Sequence, residues 1–157
     1  MVFVERSVHI NRPIAKVTAA LAAGPSKWFP HFDGPIHAEV GPRVAGLELR
    51  KNVVVEIGQP LTDGDWTEVP ITWQATFIQR LFPVMTGKAE FAPVDDRVTR
   101  LTVCGMYQPP LGSLGKQLDD ALLHRVAEAT VKELAESIGK RLEALTADAA
   151  SAASSPI

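Results

Sequence analysis

The apolar residues of the last quarter of the chain recur every three or four positions, which predicts one long helix over residues 111–145. This segment holds no proline and is rich in Ala, Leu, Glu, Lys and Arg, all strong helix formers. At about 100° per residue, its apolar stripe changes face between Leu123 and Ala127. The early group is Leu111, Leu114, Leu118, Leu122 and Val126, and the late group is Ala127, Val131, Leu134, Ile138, Leu142 and Leu145. We expect the second half to lie on a sheet and the first half to cover an opening or a loop.

Before this helix the apolar residues mostly alternate with polar ones, which is typical of half-buried strands. The predicted strands are residues 2–10, 47–58, 66–77, 84–94 and 97–108. A tight hairpin turn is expected at Asp63-Gly64, since Asp-Gly tolerates the positive φ that such turns need. One short helical pattern begins near Pro13, with Asn11 as the expected cap, and ends at Gly24.

Residues 26–42 hold several prolines and glycines, which predicts irregular structure, yet they carry Trp28, Phe29 and Phe32. Aromatic side chains in such a loop either pack on something or mark a binding surface. We therefore expect this loop to lie at the mouth of any ligand site.

The order of strand, short helix, antiparallel strands and one long helix predicts an α+β fold. At this level the chain resembles the START-like, or SRPBCC, superfamily with its helix-grip fold, which includes polyketide cyclase/dehydrase-like proteins. The resemblance covers about residues 2–145 and rests on the segments SVHINRPIAKVTAAL, GQPLTDGDW and YQPPLGSLGKQLDDALLHRVAEATVKEL, with the Trp28 region between the first two. It implies a curved antiparallel sheet wrapped around the long helix, with a cavity between them for an apolar ligand. No catalytic motif is implied, because the superfamily has no universal one.

Under that fold, one parity of each strand faces inward, and Arg6, Trp73 and Tyr107 are its most informative members. A buried guanidinium, indole or phenol needs a partner, and ligand pockets are mostly apolar with a few such groups. The alternatives are a solid core and, for Arg6, an ion pair at a sheet edge. The candidate ligand-binding residues are Arg6, Trp28, Phe32, Val55, Trp73, Met85, Tyr107 and Leu122.

Other constellations are weaker. His31, Asp33 and His37 share a loop, but they lack the regular spacing of a metal site, so no metal is expected. Asp120, His124 and Glu128 follow i, i+4 spacing and form either an acid/base group or, as we favour, a solvated helix face. The sequence contains no cofactor fingerprint, and neither Cys104 nor Ser113 has an evident histidine partner for nucleophilic catalysis.

Composition restricts the remaining possibilities. The 157 residues suit one domain over 1–146, followed by a loose Ala/Ser-rich tail at 147–157. A net charge of −2 without basic runs argues against nucleic acid as a partner, and no apolar stretch has the length of a membrane span. A single cysteine and no recognisable signal peptide favour a cytoplasmic protein.

Three functions remain open. The favoured one is the binding of a small hydrophobic molecule, such as a lipid, polyketide or isoprenoid, as a carrier or sensor. The second is a polyketide cyclase or aromatase acting in the same cavity. Its weakness is that the inward ionisable groups, Arg6 and Tyr107, are of types whose ordinary pKa values lie far above neutral pH, which suits neither as a general base. A protein-interaction module is the third.

Overall fold

The structure is a computed structural model, and it describes residues 1–29, 32–33, 37–40, 43–44, 47–48, 51–75, 84–108 and 120–147. Its strands are β1 Val2–Ile10, β2 Phe32–Asp33, β3 His37–Val40, β4 Arg43–Val44, β5 Leu47–Glu48, β6 Lys51–Ile57, β7 Leu61–Asp63, β8 Trp66–Ala75, β9 Met85–Pro93 and β10 Thr99–Tyr107. Its helices are α1 Ile14–Ala22, α2 Pro25–Trp28 and α3 Asp120–Leu145.

Within these residues, the strands form one antiparallel sheet in the order β1-β10-β9-β8-β6-β3-β2, with β7 also paired to β8. A separate hairpin joins β4 and β5. The predicted turn between β7 and β8 is confirmed, and Gly64 takes the expected positive φ of 62°. The expected α+β helix-grip architecture is therefore confirmed.

The strands form where alternation predicts them because one side of each strand is buried. In β10, Leu101, Val103 and Tyr107 are at most 2% exposed, whereas Arg100 and Met106 on the other parity are exposed. The register aligns these buried parities across the central strands, which makes one continuous inner face.

The helix α3 lies on this inner face with the second half of its apolar stripe. The buried members are Ala127, Val131, Leu134, Ala135, Ile138 and Leu142. The helix contacts β1 and β10 on one side of the sheet and β3 on the other, so it spans the inner face. This confirms the expected packing of the second half, except that Leu145 is 45% exposed. The prediction that Leu145 packs with this group is therefore wrong, and Leu145 is the last residue of α3.

Polar contacts attach the carboxyl end of α3 to the segment between β1 and α1. The Arg12 guanidinium donates to the backbone carbonyl oxygens of Glu143 and Thr146. The backbone N–H of Asn11 donates to the Glu143 carboxylate at 2.9 Å. Arg141 Nε donates to the Lys27 carbonyl of α2 at 2.7 Å. These contacts fix one end of the helix.

Several expectations differ from the structure. Asn11 is not the cap of α1, since Pro13 takes that position without a side-chain bond; the backbone N–H of Asn11 donates to the Glu143 carboxylate. The segment expected to be irregular contains α2, β2 and β3, because short elements there are stabilised by distant partners such as β6. The strand expected over 47–58 is two strands, β5 and β6. The first turns of the predicted long helix, 111–119, and the predicted tail at 148–157 lie outside the described residues.

In the part of the chain that the structure describes, none of the helices has the length and hydropathy needed to cross a membrane.

Candidate ligand-binding site

Four of the eight predicted site residues form one row across the inner face. Val55 of β6 pairs with Trp73 of β8, and Trp73 pairs with Met85 of β9. Tyr107 of β10 pairs with Val2 of β1, and one further step along the β9–β10 register places Tyr107 beside Met85. The sequence pattern predicts only that these residues lie on the inward side of their strands. The strand registers place them side by side.

The row is almost completely buried. The exposed fractions are 1% for Val55, 6% for Trp73, 6% for Met85 and 2% for Tyr107. An indole N–H and a phenol are the polar groups in this otherwise apolar set. That composition is typical of small-molecule pockets, where a few polar groups fix the orientation of an apolar ligand.

A second row, immediately beside the first, has no side chains at its centre. Gly87 of β9 pairs with Gly105 of β10, with Ile71 and Val4 on the flanking strands. A Cβ at Gly105 would lie 3.0 Å from the terminal methyl of Met85 and 3.1 Å from Cη2 of Trp73. The two larger side chains therefore lean over bare backbone, which only glycine leaves open.

Arg6 is not part of a buried site. It pairs with Val103, which is fully buried, so its parity is the predicted inward one. Arg6 is nevertheless exposed, and β1 is the last strand of the sheet on that side within the described residues. The expectation of a buried guanidinium is therefore wrong.

Trp28 is not exposed at the mouth of a loop either. It ends α2, is 1% exposed and contacts Phe29 in an edge-to-face arrangement with centroids 5.9 Å apart. Both rings belong to the core, which corrects the expectation of surface aromatics. The buried Trp28 Nε1 has no hydrogen-bond partner among the described residues. Phe32 and Leu122 belong to β2 and α3, and their side chains lie outside the described part of the structure.

The outer face carries a charged cluster that sequence reasoning missed. Lys88 Nζ lies 3.0 Å from Glu68 and 2.7 Å from Glu90, and these two carboxylates raise the pKa of the lysine. Cys104 is buried beside it, and burial raises the pKa of its thiol. The sequence pattern that could have predicted the cluster is the set of charged residues on the outward side of β8 and β9, namely Glu68, Lys88 and Glu90. These side chains are partly exposed, and solvent screening keeps the contribution of such pairs to stability small.

The remaining candidates are the charged group on α3 and the His/Asp group around β2 and β3. His124 Nε2 lies 2.8 Å from Glu128 Oε1, with side chains 42% and 59% exposed, which agrees with a solvated face of α3. Asp33 pairs with His37 across β2 and β3, while His31 lies outside the described residues. Within the described ranges, no three His, Cys, Asp or Glu side chains are arranged to hold a metal ion.

The topology and the inner face define the fold: the chain has the START-like helix-grip fold. One solved structure with this fold is the Zhui aromatase/cyclase of a Streptomyces species, at 18% identity over 95% of this chain and 97% of that chain, with a TM-score of 0.59. Another is a Thermus thermophilus protein, at 14% identity over 92% and 99%, with a TM-score of 0.57. A third is the di-domain ARO/CYC BexL, at 16% identity over 94% and 48%, with a TM-score of 0.55. No family model and no curated protein matches the sequence. At these identities the likeness concerns the fold and transfers no residue role.

Proposed function

We propose that the protein binds a small hydrophobic molecule on the inner face of its sheet, as a carrier or sensor. The observation that carries the proposal is the row of Val55, Trp73, Met85 and Tyr107 beside the glycine pair. The row offers aromatic and aliphatic surface with two polar groups, which suits a mostly apolar ligand that has an oxygen. Lipids, polyketides and isoprenoids belong to this class.

The helix α3 supports the proposal, because its fixed end lies away from the row. Its carboxyl end is fixed by Arg12 and Arg141, whereas the row lies at the opposite end of β1, beside Val2. A ligand entering near the row would therefore leave the attached end of α3 in place.

The test is native mass spectrometry of the purified protein, followed by extraction and identification of any bound compound. We expect an adduct of a few hundred daltons, within the usual size range of pocket ligands. A parallel titration with the apolar dye anilinonaphthalene sulfonate covers the case in which the natural ligand is lost during purification. If no compound is retained and the native protein binds no dye, the proposal is wrong.

An enzymatic role is the second candidate, because two solved structures with the same fold are aromatase/cyclases. Tyr107 is the ionisable member of the row, and a phenol with an ordinary pKa of about 10 is a weak general base at neutral pH. Incubation with a poly-β-ketone would decide the matter. Formation of an aromatic product that Tyr107→Phe abolishes would favour catalysis, and binding without turnover would favour a carrier.

A further inference from the structure

Two side chains of the row rest on a part of β10 that has no side chain of its own. A Cβ added to Gly105 would lie 3.0 Å from the terminal methyl of Met85 and 3.1 Å from Cη2 of Trp73. They therefore fill the space over the backbone of β10. An apolar ligand that reaches this backbone has to displace at least one of them.

The two side chains differ in how easily they move. Met85 has three rotatable side-chain bonds and a polarisable thioether, so it adapts to irregular space. Trp73 is a rigid indole flanked by Val55 and Met85 on the neighbouring strands. Met85 is consequently the side chain that can withdraw at the smaller cost.

We propose that Met85 is the gate of the ligand site: its thioether methyl rests on Gly105 when the site is closed and swings away when an apolar ligand enters. This inference rests on the proposed function, since a gate requires a ligand. It adds a specificity determinant, because the space that Met85 vacates over Gly105 sets the depth to which a ligand can reach.

The two glycines offer different probes of this gate. A Cβ at Gly87 would collide with the carbonyl oxygen of Cys104 and lie 2.8 Å from the Cα of Gly105, and backbone atoms of a central strand cannot yield. At Gly105 the close atoms are the far ends of Met85 and Trp73, which can. Gly105→Ala should therefore fold and should push the Met85 methyl off its resting place.

The experiment is nuclear magnetic resonance of protein labelled at the methionine methyl groups. The three methionines of the sequence, Met1, Met85 and Met106, give one signal each. Met1 and Met106 are 84% and 42% exposed and line a groove of about 460 Å³ at the strand ends, which Tyr107 of the row also lines, so they report on dye that binds in this groove without displacing Met85. On addition of anilinonaphthalene sulfonate we expect the Met85 signal to shift and the other two to stay. Gly105→Ala should shift the Met85 signal without dye.

Kinetics provide a second measurement. Met85→Ala should raise the association rate of the dye by about three- to tenfold, because the thioether no longer has to move off Gly105 and contacts of a thioether are ordinarily of this strength. Met85→Leu keeps the bulk and should restore a rate near that of the wild type or below it. Met106→Ala is the matched control and should leave the rate unchanged, since this residue lies on the outer parity.

The outcomes separate the gate from the proposed function. If the dye binds and quenches a tryptophan signal that Trp73→Phe removes, while the Met85 methyl signal stays, the gate is overturned and ligand binding stands. If only the Met1 and Met106 signals shift, the dye occupies the outer groove and the gate is overturned. If the native protein binds neither dye nor a natural compound, the proposed function fails and the gate fails with it.

Discussion

Arg12, which lies between β1 and α1, binds the carboxyl end of α3. Its Nε lies 3.2 Å from the Thr146 carbonyl oxygen and its Nη2 lies 3.0 Å from that of Glu143, while Nη1 donates to the Asn11 carbonyl at 2.6 Å. Carbonyls in the last turn of a helix lack intrahelical donors, and a positive charge there also suits the helix dipole.

We therefore predict that Arg12→Ala destabilises the protein. A buried hydrogen bond to a charged group contributes about 1.5–3 kcal/mol to stability. Arg12 is half-buried, and water can replace part of what it donates, so we expect a total loss of about 2 kcal/mol rather than the sum of three bonds. In a domain of this size, that corresponds to a fall in Tm of about 4–8 °C.

Urea unfolding followed by tryptophan fluorescence measures the free energy, and circular dichroism measures Tm. Arg100→Ala is the matched control, because Arg100 is exposed on the outer parity of β10. Arg12→Lys keeps the charge and loses the planar fork, so it should fall between the wild type and Arg12→Ala. If Arg12→Ala and Arg100→Ala agree within about 0.5 kcal/mol, water satisfies the end of α3 and the reasoning is refuted.

Three further predictions concern the sheet. Gly87→Ala should unfold the protein or cost more than about 3 kcal/mol in urea, because its Cβ meets the carbonyl oxygen of Cys104 on the neighbouring strand; a native-like midpoint would contradict this. Trp73→Ala should cost less than the roughly 3–5 kcal/mol of a packed aromatic and should change dye capacity, while Tyr107→Phe should fold and weaken ligands that have an oxygen near the hydroxyl; a Trp73→Ala variant unfolded at room temperature would indicate a solid core. The thiol of Cys104 should react with a thiol reagent far more slowly in the native than in the urea-unfolded protein at pH 8, since burial raises its pKa; equal rates would show an open site.

The alternation of apolar and polar residues was sufficient to predict the strands whose side chains alternate between core and solvent. The predicted strand Val2–Ile10 agrees with the structure at both ends, and β8, β9 and β10 begin within two residues of the predicted starts. The same pattern did not predict the strands in residues 26–42, because β2 pairs with β3 and β3 pairs with the distant β6. The attachment of Arg12 to Glu143 joins residues 131 positions apart, a distance that periodicity cannot report.

The candidate site shows the same division. Parity assigned Trp73, Met85 and Tyr107 to the inner face, and the structure buries all three. Parity also assigned Arg6 inward, yet it could not show that β1 lies at a sheet edge, where an inward residue still reaches solvent. Adjacency within the row depends on the β6–β8, β8–β9 and β9–β10 registers, which the sequence alone did not provide.

The attached end of α3 and the candidate site lie at opposite ends of β1. Eight residue steps of about 3.3 Å separate Val2, beside the row, from Ile10, next to the Arg12 contacts, which gives roughly 26 Å. Effects of substitutions more than about 7–10 Å apart, without shared partners, usually add within about 0.5 kcal/mol. We therefore predict that the free-energy losses of Arg12→Ala and Met85→Ala add in the double variant and that its dye association rate equals that of Met85→Ala alone. Urea unfolding and stopped-flow fluorescence on the four proteins measure both. A coupling above about 1 kcal/mol would mean that α3 transmits strain from its attached end to the site, and the two ends would then act as one unit.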